Sequence, residues 1–333
     1  MARIDTIREC FDYCDWAHER LLAISADLGP QQLNQPFEMG PGSLHATLAH
    51  IYGAERTWLE RWHARPSAFP RSSALETLAA LATAFSAMSD ARRNELSTAT
   101  DGDLNATITY TTTQGRTHTN RLRDILLHVC NHAAHHRAQA TNMLRRLGAP
   151  YEWIDYLAMK MKHAGDPRVD LETLRDFFRY TDWANDRVLT AAAALSDEQL
   201  DRPFDMGLGT LRKTLLHIRD AECWWYGNWT NGPDRPFPKL EAQTRVAAIR
   251  ESFHQAAEQR NAYIALGHAD MARPVSAQPR PDRVLTFKLG ETLLQLCHHS
   301  THHRAQAANM LRHVGATPPE LDYVHMLREG QSQ

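Results

Sequence analysis

The amino-acid sequence predicts an all-α protein built as two tandem four-helix bundles, each carrying a short β-hairpin between its third and fourth helices. Three observations lead there. At 333 residues the chain is longer than most single cores, which favours two domains. Sliding the chain against itself by 167 residues aligns nearly every recognisable stretch, so that Phe11 meets Phe178 and Leu127 meets Leu294. Each copy then contains four long helical stretches separated by Gly and Pro breakers.

The duplication is read directly. FDYCDWAHERLL from Phe11 matches FRYTDWANDRVL from Phe178, and LNQPFEMG from Leu33 matches LDRPFDMG from Leu200. SLHATLAHIYGAERTW from Ser43 matches TLRKTLLHIRDAECWW from Thr210. From Leu127 to Ala149 against Leu294 to Ala316, 15 of 23 positions are identical. The single offset, with no visible gap, implies that loop lengths repeat along with helices. Two copies of domain size indicate a duplication, since solenoids stack three or more short units. The domains are therefore set at 1–160 and 168–333, joined near Ala158–Asp170, where Gly165, Asp166 and Pro167 interrupt regular structure.

In the first copy the helices are expected near 3–27, 43–64, 72–98 and 121–147, with Gly29-Pro30, Pro41-Gly42, Pro66 and Gly148 between or after them. Ser43 can cap the second. The segment ATITYTTTQGRTHT alternates and is rich in Thr, which favours a hairpin over a helix. Four helices of this length close most simply into a bundle, where facing side chains can build an interior metal or cofactor site.

Composition narrows the functional classes. With 43% hydrophobic and 23% charged residues the chain is an ordinary globular protein. A net charge of −2 gives no long-range attraction to nucleic acid or acidic membranes. No apolar run approaches the roughly 20 residues that span a bilayer, and MARIDTIRECFDYCDW lacks the apolar core of a signal peptide. The five cysteines, Cys10, Cys14, Cys130, Cys223 and Cys297, show no paired spacing, which points to reduced thiols and a cytoplasmic location.

Nineteen histidines are the compositional oddity. On a helix, His132 and His136 lie about 40° apart, as do His299 and His303, so each pair shares a face and can reach one ion. His135 lies about 60° from His132 and about 100° from His136, a poorer partner; Cys130 falls about 160° from His132. A third ligand has to come from another helix. His50 and His217 occupy equivalent places beside the apolar stripes Leu44, Leu48, Ile51 and Leu211, Leu215, Ile218. A lone histidine there ordinarily belongs to the core boundary. The duplication alters that balance: His45, His63, His118 and His128 become Arg212, Thr230, Leu285 and Gln295, whereas the triplet is retained. His135 and His302 are also retained, so geometry decides in favour of His50, His132 and His136, and of His217, His299 and His303. Three neutral imidazoles with open positions suit Zn²⁺, Ni²⁺ or Fe²⁺, one ion per domain.

At this point the residues resemble a known family, the DinB/YfiT-like superfamily of metal-binding four-helix bundles. The resemblance rests on a second-helix histidine (His50, His217), on His132-x-x-x-His136-Arg137-Ala138-Gln139 and its repeat His299-x-x-x-His303-Arg304-Ala305-Gln306, and on Trp183-Ala184-Asn185. The first copy departs at Trp16-Ala17-His18, which leaves His18 as a fourth ligand, a hydrogen-bond partner or a solvent-facing substitution. Glu55 and Glu222 are read as ion-pair partners, Arg137 and Arg304 as packing residues or contacts to an anionic substrate, and Gln139 and Gln306 as supports to the ligands. Trp58, Trp224, Trp225 and Trp229 are read as core aromatics.

The resemblance implies a metal-dependent thiol S-transferase acting on small electrophiles with a low-molecular-weight thiol. Metal-dependent hydrolysis and a non-catalytic metal-binding stress role are the alternatives; hydrolysis is disfavoured because no repeated carboxylate lies on the ligand faces. No catalytic residue is assigned. The tandem layout implies an intrachain pseudo-dimer that is monomeric in solution.

Overall fold

In the computed structural model, residues 3–331 are described except 64, 66–74, 113–114, 151, 164, 166, 233–236, 238–243, 266–269 and 281. Pro66, Asp166 and the expected start of the third helix lie outside them. Among the described residues the long elements are helices, and the strands form only two antiparallel hairpins. No described helix is long and apolar enough to cross a membrane.

The chain divides into two compact units, Met1–Ile154 with Asp322–Gln333, and Asp155–Leu321. Unit one contains α1 (Ile4–Ser25), the one-turn α2 (Pro30–Leu33), α3 (Leu44–Trp62), α4 (Leu78–Thr98), β1 (Thr107–Thr111), β2 (Thr117–Arg121) and α5 (Leu122–Arg146). Unit two begins with α6 (Tyr156–Lys162) and repeats the series as α7 (Leu171–Ala193), α8 (Asp197–Leu200), α9 (Leu211–Asn231), α10 (Val246–Ala265), β3 (Pro274–Arg280), β4 (Arg283–Lys288) and α11 (Leu289–His313). The last helix, α12 (Tyr323–Gln331), belongs to unit one and packs on α5, as α6 packs on α11.

Apolar periodicity explains the long helices. Ile4, Ile7, Phe11, Cys14 and Leu21 recur three or four residues apart (with one turn skipped) and are all buried. Ser43 accepts a hydrogen bond from the Ala46 amide at 3.1 Å and so caps α3 as its sequence predicts. The side chain of Thr210 does the same for α9. In unit one α1 and α3 each pack on α5 and on α4; in unit two α7 and α9 each pack on α11 and α10. The hairpins join Thr107 to Arg121 and Pro274 to Lys288 at their open ends.

One refinement to the offset appears. Arg92 and Arg260 occupy equivalent positions, each pairing a buried glutamate on the preceding long helix, yet they are separated by 168 residues in number. The third helix has slipped by one position, and the hairpin strands return to 167, so one residue was gained before α10 and lost after it.

Those arginines tie three helices together. Arg92 on α4 meets Asp15 of α1 and Glu55 of α3. Arg260, with no exposed side chain, meets Glu222 at 2.5 Å and Asp182 at 2.6 Å. Both glutamates are thus ion-pair partners. Burial pushes the Glu222 carboxyl up to about 6, with Arg260 opposing it. Removing one member strands a charge in the core, so Glu222→Ala is expected to cost about 3–5 kcal/mol in urea denaturation. Asp5→Ala, which breaks a partly exposed pair with Arg8, should cost under about 1 kcal/mol.

Candidate metal centre

The site in each unit lies where the second long helix meets the last. On α3, Leu44, Leu48 and Ile51 fill the core, and His50 projects from the edge of that stripe toward α5. There His132 and His136, one turn apart, present their rings to it. The His50 and His132 Nε2 atoms face one another at 3.2 Å. The His136 ring lies with its centroid 4.4 Å from both the His50 and His132 rings. Unit two repeats this: His217 Nε2 is 3.1 Å from His299 Nε2, and the His303 ring is 4.6 Å and 4.4 Å from those of His217 and His299.

The donor set fits a divalent cation. In each group one nitrogen per residue lies within 4.8 Å of the others. An ion at about 2.0–2.1 Å from each nitrogen needs pairs roughly 3.3 Å apart, so the rings need only small adjustments. Burial drives His132, His136, His299 and His303 well below the usual imidazole range, and the neighbouring imidazoles add to it. Burial alone takes His217 down to about 4 and also lowers His50. Neutral imidazoles are the form that ligates. All six remain partly accessible, which leaves room for a further ligand.

A glutamine fixes one ring. His136 Nδ1 lies 2.7 Å from Gln139 Oε1 and therefore donates to it, leaving the Nε2 lone pair for an ion. Gln139 Nε2 in turn lies 3.1 Å from His135 Nε2. Gln306 makes the same bonds to His303 and His302 at 2.7 Å and 3.0 Å. The retained His135 and His302 thus contact the glutamine and lie outside the two three-histidine groups. Gly40 and Gly207, each at φ 50°, lie so near this glutamine that a Cβ would collide with its amide. That is a physical reason for the repeated Pro-Phe-Glu/Asp-Met-Gly segment, which sequence reasoning noted only as repetition.

A second feature escaped the sequence. Asp322, just before α12, acts electrostatically on His50 and His128, drawing both upward against the larger effect of burial. Its counterpart Asp155 binds Gln295 Nε2 at 2.8 Å and caps α6. Asp155 and Asp322 are 167 residues apart, but only Asp322 acts on a histidine of a three-histidine group; burial alone lowers His217. Asp322 lies outside the four helices of its copy, where helical angle gives no guide to its position.

His18 lies apart from the three-histidine group of its unit. It is buried against Phe85, with Nδ1 3.7 Å from Glu55 Oε1, and belongs to neither three-histidine group. Arg137 stacks on Tyr13 and bonds Cys14 Sγ, while Arg304 bonds Ser300, Thr301 and Asn185. Both are buried packing residues, closed to a substrate. Trp224, Trp225 and Trp229 are buried, and Trp58 stacks edge-on to Tyr110 and His128.

The lowered imidazoles predict a pH dependence. In the metal-free protein they stay neutral when folded, whereas unfolded chains take up protons below about 6.5. Protons bound only by the unfolded state favour unfolding, so the melting temperature should fall as pH drops from 7 toward 4. His217→Gln should reduce that slope in calorimetric scans.

The sequence profile of the DinB family matches residues 1–169 and again residues 168–332. No curated protein matches the chain. Two successive matches across nearly the whole length, each containing one three-histidine group, show that the chain belongs to the DinB family as a tandem pair of its domains.

Proposed function

We propose that each bundle holds one divalent cation, Zn²⁺, Ni²⁺ or Fe²⁺, on His50, His132 and His136 or on His217, His299 and His303. The protein then acts as a metal-dependent thiol S-transferase on small electrophiles. The observation that carries this reading is the convergence of three neutral imidazoles on one accessible point, twice in one chain. A dication bound there would favour thiolate over thiol near neutral pH. The protein's own part is positional: two helices fix three nitrogens, Gln139 and Gln306 hold the tautomer, and the partly open face admits a substrate. The five free cysteines, four of them buried, accord with a reducing compartment and with a thiol supplied in solution. Neither Cys130 nor Cys297 serves as nucleophile, since burial raises both thiols well above their ordinary range.

A second reading for unit one, metal-dependent hydrolysis, draws on Asp322, whose negative charge opposes the effect of burial on His50. Rates measured on a panel of electrophiles with and without glutathione, bacillithiol or mycothiol separate the two. Transfer that requires the thiol supports the first reading, and thiol-independent turnover lost in Asp322→Asn supports the second. Gln139→Ala and Gln306→Ala are expected to weaken cation affinity by about 10–100-fold in competition with a chromogenic chelator, with the fold intact by circular dichroism.

A further inference from the structure

Across α5 from the imidazoles of unit one lies a cluster of sulfur. Cys10 and Cys14, one turn apart on α1, and Cys130 on α5 are all fully buried. Cys14 is hydrogen-bonded to Cys130, and Cys130 to Cys10, so the three thiols form a chain with Cys130 in the middle. Among the described residues the three-donor groups that converge on one point are the two histidine triplets. The sulfurs therefore offer adjacent pairs and no triangle.

A buried cation singles out one pair. Arg137, 4% exposed, stands two turns after Cys130 on the same face of α5, and its Nη1 donates to Cys14 Sγ at 3.4 Å. Its Nη2 is buried with no hydrogen-bond partner among the described residues. The buried carboxylates of this core, Asp15 and Glu55, are both held by Arg92. Unit two shows how the same arginine is otherwise satisfied: Arg304 donates to Asn185 at 3.1 Å, Ser300 at 2.6 Å and Thr301 at 2.8 Å. The equivalent residues in unit one are His18, Ala133 and Ala134, and neither ring nitrogen of His18 has a hydrogen-bond partner. Conversely, Cys10 and Cys14 become Phe177 and Thr181 in unit two. Oxygen acceptors have been exchanged for sulfur around one buried guanidinium.

A buried cation is costly without an anion beside it, and neutral thiols do not supply one. The hydrogen bond to Cys130, and then burial, keep Cys14 protonated; burial is the main cause for Cys130. A soft monovalent cation M⁺ removes the mismatch. Two thiols and M⁺ give M(SR)₂⁻ and release two protons, with no electron transferred, and the product is an anion facing Arg137.

We propose that Cys14 and Cys130 form a two-coordinate site for a soft monovalent cation of the Cu⁺ and Ag⁺ class, with Arg137 as its counter-ion. Thiolate ligands select such ions, whereas Zn²⁺ takes four donors, more than this chain of sulfurs presents. The site is independent of the histidine centres and belongs to unit one alone.

The test is the copper content of the full, tag-free chain, handled anaerobically with Zn²⁺ present. Because the thiols are sealed from solvent, Cu⁺ is supplied in urea just below the unfolding transition, where local opening admits it. After removal of urea and a wash with bathocuproine disulfonate, the chain is expected to retain one Cu⁺. X-ray absorption should show sulfur neighbours and no imidazole. Cys14→Thr, the residue that unit two carries there, and Cys130→Ala should each lose the ion with the fold intact by circular dichroism. Cys10→Ala, Cys223→Ser and His136→Ala should keep it. No copper on the wild-type chain, copper with imidazole neighbours, copper kept by Cys14→Thr or lost from Cys10→Ala, or two thiols consumed as a disulfide with no copper bound would overturn the proposal.

Discussion

Three imidazoles, two on one helix and one on another, must meet at a single point, and the rest of each unit is arranged around that requirement. Two rings one turn apart are fixed in relation to each other by the helix. The third depends on how α3 packs on α5, or α9 on α11. That packing is set by Leu44, Leu48 and Ile51 or Leu211, Leu215 and Ile218, all buried. The same helices carry, away from the histidines, the glutamates that bind the buried arginines. A rotation of α3 that carried His50 off the shared point would also pull Glu55 from Arg92. Core packing, ion pairing and ligand geometry therefore constrain one helix orientation.

The histidine centre illustrates how a polar cluster survives in a half-buried place. Burial disfavours the charged imidazole, and neighbouring rings disfavour it further. Both effects oppose proton binding but leave the lone pairs for a cation. Gln139 and Gln306 then resolve which nitrogen is free, and Gly40 and Gly207 make room for those glutamines by adopting a backbone conformation with no Cβ to obstruct. The loop before the second long helix is thus part of the site although it holds no ligand.

Much of this was legible in the sequence. Spacing put His132 beside His136, and the internal repeat separated the retained triplet from histidines such as His45 and His128 that the second copy lost. Glu55 was correctly set apart from the ligands by helical angle. What was not legible depended on contacts between elements distant in sequence. His18 could not be distinguished from a ligand until it was found beneath Phe85 and beside Glu55. Asp322 immediately precedes a short helix that follows one copy in sequence and packs within the other unit, an association no periodicity encodes. The one-residue slip of the third helix was hidden because that helix has few matching residues; the Arg92 and Arg260 ion pairs and the buried Phe85 and Phe253 align it.

The two units have diverged around a common plan. His128 beside Trp58 becomes Gln295 bonded to Asp155, and Arg93 across two carboxylates becomes Asn261 beside a cavity. The histidine centres, by contrast, are nearly superposable in their distances. The most direct test of their role is elemental analysis of protein purified without a histidine tag and reconstituted with Zn²⁺, Ni²⁺ or Fe²⁺. If the imidazole triplets are metal centres, the native chain carries two ions, His136→Ala and His303→Ala carry one each, and the double variant carries none. A native chain that takes up no ion, or a double variant that still holds two, would contradict the account.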